Sequence, residues 1–171
     1  MNLSMMIIDL IIVTLAVGFI FARMLRDHGD LSYLRSVLIG SLIAFPAIVL
    51  HELGHYLAAG AYGISATFHA AYPWLGLGVL LAAFTRIIFV VPAYVTITGS
   101  AGHLAFMSAA LAGPAVNGIL ALGSYVAGRF HGSYVLQVSA RLNLVLFICN
   151  ILPIPGFDGF IVLKHLLYLC A

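Results

Sequence analysis

The chain is 171 residues long, 64% hydrophobic and 7% charged, with a formal net charge of +2. A mean hydropathy of +1.17 lies far above that of soluble domains, so the sequence reads as an integral membrane protein with most of its mass in the bilayer. Seven Lys and Arg against five Asp and Glu are too few and too scattered for a nucleic-acid surface, and Cys149 and Cys170, without a Cys-x-x-Cys spacing, imply no disulfide framework.

Length allows about four to six spans of ~20 residues, and the pattern gives four. Residues 5–22 form the first, with Asp9 as its one charge. No Lys or Arg precedes it and no small-x-small site follows, which reads as a span and not as a secretory signal. Arg23, Arg26, Asp27, His28 and Asp30 make a polar loop. The second span runs from about Leu34 to Tyr62 and ends at Gly60 and Gly63. Pro46 inside it removes one N–H and crowds the Leu42 carbonyl, so a kink is expected. His51 lies about 17 residues into this span, ~25 Å along it, inside the membrane but nearer the C-terminal end.

Residues 64–98 are ambiguous. The stretch 75–92 is long and apolar enough for a crossing, but Pro73, Gly76 and Gly78 punctuate its start and Arg86 interrupts it. Ile87 to Thr98 is rich in β-branched and aromatic residues, which favours strand. The segment reads as a β-ribbon or re-entrant element, tolerated at membrane depth because it is buried in protein or lines a cavity.

The third span covers about 101–128 and contains Gly113-Pro114-Ala115-Val116-Asn117, small residues for close packing with one amide for an interhelical hydrogen bond. A turn at Arg129, His131, Gly132 and Ser133 leads to the fourth span, which ends near Ile151. Pro153, Pro155 and Gly156 then forbid a continuous helix and hold Asp158 in an ordered loop. Asp158 suits a turn, a cap for a helix over Phe160–Leu169, or a metal ligand.

The chemistry centres on His51-Glu52-Leu53-Gly54-His55. Histidines four residues apart share one helix face, where both imidazoles reach one tetrahedral Zn²⁺. The glutamate between them is placed to take a proton from the water that such a metal activates. Ionisable groups in a membrane span are costly and mark function. Catalytic zinc commonly takes a third protein ligand, and Asp158, His69, His103 and Asp9 are the candidates. If 64–98 does not cross, the second and fourth spans run the same way. His55 and the loop from Asn150 to Asp158 then meet on one side. If 75–92 crosses, Asp158 emerges ~30 Å away.

His-Glu-x-x-His at 51–55, Gly-Pro-x-x-Asn at 113–117 and Asn-x-x-Pro…Asp-Gly at 150–159 together resemble the site-2 protease family of intramembrane zinc metalloproteases. The likeness covers about residues 34–170. It implies an α-helical membrane fold of about four transmembrane helices around a three-helix catalytic core, in one domain. It implies one Zn²⁺ per chain held by His51, His55 and Asp158, with Glu52 as general base. Asn150, and also Asn117, are implied to contact the substrate or the oxyanion. The implied reaction is hydrolysis of peptide bonds in or near transmembrane segments of membrane proteins, in a multi-pass protein of the cell membrane. An unwound substrate segment joining the edge of the ribbon as an added strand is the expected mode of capture. Two other readings are a peptidase acting on prenylated proteins and a non-proteolytic zinc-binding membrane protein or inactive relative. The first often uses a glutamate as third ligand, and Glu52 is the chain's one glutamate. The second has no need of a base at Glu52. Arg23, Arg26, Arg35, Arg129 and Arg141 fall to one side, which the positive-inside rule places in the cytoplasm. The family resemblance implies the reverse orientation.

Overall fold

A computed structural model of the protein describes residues 3–27, 31–85, 87–91 and 93–170. His28, Asp30 and Arg86, which entered the sequence reading, lie outside them. The elements run α1 (Leu3–Arg26), α2 (Tyr33–Ala61), β1 (Ser65–Ala70), α3 (Tyr72–Phe84), β2 (Ala93–Thr98), α4 (His103–His131), α5 (Tyr134–Ile151) and α6 (Asp158–Cys170).

Four of these helices are long and apolar enough to cross a membrane: Ile7–Arg26 within α1, then α2, α4 and α5. Local chemistry sets their ends. Ser32 and Ser133 cap α2 and α5 by accepting from the amides of Arg35 and Leu136. Arg23 and Arg26 occupy the last turn of α1, favourable against the helix dipole, and the helix continues past residue 22 to include them. Gly132, at φ +62°, ends α4 in the left-handed region. Pro46 and Pro114 lie inside α2 and α4, and both helices run on past them.

The core lies where α1, α2 and α5 meet. Val13, Val17 and Phe21 pack with Ala44, Ala47 and Ile48 and with Val138, Leu142 and Leu146. The α1–α2 crossing is close because neither side carries bulk: a Cβ on Gly40 would lie 2.5 Å from the Gly18 carbonyl oxygen. The outer faces are apolar, with Leu42, Ile119 and Leu122 well exposed, while His51, His55, Asn117, Asn143 and Asp158 are buried. A solvent of lipid tails favours that distribution, because exposed apolar side chains there cost nothing and polar groups gain partners inside.

Between α2 and α4, β1 and β2 pair antiparallel, with Ser65 opposite Thr98 and Ala70 opposite Ala93. The chain therefore returns to the side from which it left. The C-terminal end of α2 and the N-terminal end of α4 share that side. Two features differ from the sequence reading. The strand covers only 93–98, and residues 87–91 have no regular structure. Residues 72–84 are helical where Pro73 and the glycines read as breakers. Pro73 stands at the start of α3, where its missing N–H and fixed φ suit a first turn, and a run of helix-forming Leu and Ala follows. At 1.5 Å per residue α3 is about 20 Å long, short of the ~30 Å hydrocarbon thickness.

Candidate metal centre

His51 and His55 lie one turn apart on the buried face of α2, and Asp158 lies in the first turn of α6. After α5, the loop from Leu152 turns back through Pro153, Pro155 and Gly156, the last at φ +99°. That turn delivers the aspartate to the histidines. The His51 and His55 Nε2 atoms are 3.0 Å apart, and Asp158 Oδ2 stands 3.4 and 3.3 Å from them. Ligands at ~2.0–2.1 Å from a tetrahedral zinc lie ~3.3–3.4 Å from one another, so the three atoms already mark three corners of such a site.

The hydrogen bonds behind these atoms show why the cluster fits a cation. His55 Nδ1 lies 2.8 Å from the Ala109 carbonyl, a pure acceptor, so this nitrogen carries the proton. His51 Nδ1 lies 2.5 Å from Asn117 Oδ1. The Asn117 amide donates to the Ala47 carbonyl at 3.2 Å and to Asn143 Oδ1 at 2.9 Å. The Asn143 amide donates in turn to the Ser139 carbonyl at 2.9 Å. Each step fixes the next: the Ser139 carbonyl orients Asn143, Asn143 orients Asn117, and Asn117 requires His51 to donate from Nδ1. Both Nε2 atoms therefore face each other and a carboxylate oxygen. Asp158 Oδ2 is buried without a hydrogen-bond partner among the described residues. Two imidazole nitrogens and a carboxylate oxygen gathered at about 3 Å in a buried site are stabilised by a cation between them. Two nitrogens and one oxygen are a donor set that Zn²⁺ accepts.

Gly113 makes room for the second histidine. A Cβ there would lie 2.2 Å from His55 Nε2, so only the bare backbone of α4 lets the ring stand where it does. Glu52 lines two spaces. One is a groove of about 540 Å³ between α1, α2 and the strands, reached also by His55, Tyr56, Thr67, Phe68 and Val95. The other is a cleft of about 10 Å³ shared with His51, Asn117 and Asn150, room for about one water.

The structure therefore brings His51, His55, Asp158, Glu52 and Asn150 together. Asn117 is also there, fully buried, with its oxygen toward His51 Nδ1 and its amide donating to Ala47 and Asn143. In this structure it holds a histidine. The other three candidate ligands are engaged elsewhere. His69 stacks on Tyr94 across the ribbon, with ring centroids 5.2 Å apart. His103 Nδ1 lies 3.0 Å from His165 Nδ1. Asp9 accepts from the Tyr72 hydroxyl. Asn143 and Ser139 escaped the sequence reading. The signal was present, since an asparagine in an apolar span needs an internal partner.

No protein-family model matches the chain, and no solved structure does. Two curated proteins do. A protein of Methanocaldococcus jannaschii, named as a candidate zinc metalloprotease, is 36% identical over 170 residues, covering 92% of this chain and 83% of its own length. A protein of Synechocystis sp., also named as a candidate zinc metalloprotease, is 30% identical over 162 residues, covering 92% of this chain and 38% of its own length. With a likeness running over nearly the whole of the first relative, and with a metal-ready trio at its centre, the chain belongs to this family of zinc metalloproteases.

Proposed function

We propose that the protein is an intramembrane zinc metalloprotease of the site-2 type, hydrolysing peptide bonds in or near transmembrane segments of membrane proteins. The observation that carries this reading is the convergence of two imidazole nitrogens, on a helix long and apolar enough to lie in a membrane, with a buried carboxylate oxygen. His51, His55 and Asp158 hold the metal. When bound, zinc polarises the scissile carbonyl and lowers the pKa of water toward ~7. Glu52 takes the proton of the attacking water and passes it to the leaving amine. The small cleft beside it has room for that water. Asn150, across the same cleft, donates to the developing oxyanion.

The substrate has its own difficulty, because the carbonyls of a helix are occupied by its own hydrogen bonds. The 540 Å³ groove offers an answer. Its wall includes Ala66, Thr67 and Phe68 of β1, so an unwound segment lying there pairs with the free edge of β1 while its carbonyls pass Glu52 and His55. Most of the strand residues at the groove belong to β1, with Val95 of β2 beside them.

The test is cleavage in proteoliposomes of a single-span substrate and of a soluble peptide with the same cleavage sequence, by wild type and by Glu52→Gln. The spanning substrate is expected to be cut faster. Glu52→Gln is expected to keep its zinc and to lose activity by about 10²–10⁴-fold. Equal cutting of the soluble peptide overturns the intramembrane assignment. Full activity of the variant overturns the role of Glu52.

A further inference from the structure

The hairpin of α4 and α5 carries a second feature, remote from the metal ligands. Small residues at Gly118 and Ala121 of α4 and Ala140 of α5 leave a furrow of about 670 Å³ on the outer face, walled by Leu122 and Leu144 and ending at Arg129 and Arg141. The furrow is open along its length and mostly apolar, and its volume is that of a bound small molecule. Arg141 stands about 10 Å into α5 at 1.5 Å per residue, inside a helix apolar enough to cross the membrane, and it is exposed. A lipid-facing charge at that depth is costly unless an anion meets it. Neither Arg129 nor Arg141 has a hydrogen-bond or ion-pair partner among the described residues. The neighbouring arginines of the same face differ. Arg23 donates to the Thr85 carbonyl at 2.6 Å, and Arg26 lies 5.4 Å from the centroid of the Tyr33 ring. That these ends share one face follows from the Tyr134 hydroxyl, at the start of α5, donating to the Met24 carbonyl near the end of α1.

We propose that this furrow is a binding site for an anionic phospholipid, with the phosphate between Arg129 and Arg141 and an acyl chain laid along Gly118, Ala121 and Ala140 between Leu122 and Leu144. Two guanidinium groups at one end of an apolar channel match both halves of such a lipid and neither a free anion nor a plain acyl chain. The floor of the furrow adjoins Asn117 and Asn143 in sequence, so an occupied site also backs the helix pair that orients His51.

The experiment is native mass spectrometry of delipidated protein titrated with dioleoylphosphatidylglycerol or dioleoylphosphatidylcholine. Wild type is expected to bind the anionic lipid at least about tenfold more tightly, with a loss on the order of fivefold for each arginine replaced, so that R129Q/R141Q treats the two lipids alike. Arg35→Gln, on the same face but outside the furrow, is expected to keep the preference. L122W/L144W, which fills the channel, is expected to weaken both lipids. Zinc content reports folding, and R129K/R141K, keeping both charges, is expected to retain the preference. No preference in wild type overturns the proposal. So does an equal loss in Arg35→Gln, which means diffuse surface attraction. Unchanged lipid binding in L122W/L144W also overturns it, and if that variant at the same time stops cleaving a spanning substrate, the furrow belongs to a protein segment instead.

Discussion

His51 turns its Nε2 to the centre because Asn117, held by the Ala47 carbonyl and by Asn143, takes its Nδ1. That dependence is measurable. Asn143→Leu leaves the Asn117 amide held by the Ala47 carbonyl alone and so loosens its hold on His51. Zinc affinity, read by competition with a chelator, is expected to fall on the order of tenfold, within the range for partners of metal ligands. The melting temperature of the metal-free protein is expected to change less. An unchanged affinity removes Asn143 from the positioning chain. Asp158→Ala removes one of the three groups proposed to hold zinc and is expected to leave far less than one zinc per chain, against an expected one in wild type. Full zinc in that variant means the third ligand lies elsewhere. Gly113→Ala tests space and not charge. Its added methyl falls 2.2 Å from His55 Nε2, so the ring must move and zinc binding must weaken, and wild-type zinc affinity would show that the ring has room to retreat.

At the scale of elements, the proposed path of a substrate to the centre runs along the ribbon. β1 faces the groove with Ala66, Thr67 and Phe68, while its other edge is taken by β2. Thr67→Pro removes one backbone donor from β1 and puts a ring into the strand. Cleavage of a spanning substrate is expected to drop at least tenfold with zinc content unchanged. Cleavage at the wild-type rate would mean that substrate does not pair with this strand. The helix α3 has a simpler lesson. Its apolar run is long enough in sequence to suggest a crossing, yet 13 residues make a rod too short for the bilayer core. The paired strands on either side bring the chain back.

For the whole molecule, the return of the chain through β1 and β2 fixes the sidedness of everything after it. In a background with Cys149 and Cys170 replaced by serine, single cysteines at Gly63 and Ser100 are expected to react with a membrane-impermeant thiol reagent from one side of the bilayer, and one at Gly132 from the other. Gly63 and Ser100 on opposite sides would require the 64–98 segment to cross. Much of this architecture was legible in the residues alone. Four apolar stretches of sufficient length, broken by short polar turns, determined four membrane-length helices, because a backbone in lipid has little choice but helix. The spacing of His51, Glu52 and His55 determined that both imidazoles share a helix face, because four residues are about one turn. The resemblance implied Asp158 as third ligand, but the residues alone left His69, His103 and Asp9 beside it, because the choice depends on groups far apart in the chain. The orientation of the two histidines was not legible for the same reason: Asn117, which holds His51, is itself held by Ala47 on a different helix and by Asn143 on a third. A motif states which chemical groups are present. The packing of α2, α4, α5 and α6 decides which lone pairs are left free, because hydrogen-bond direction is set by whatever stands on the other side.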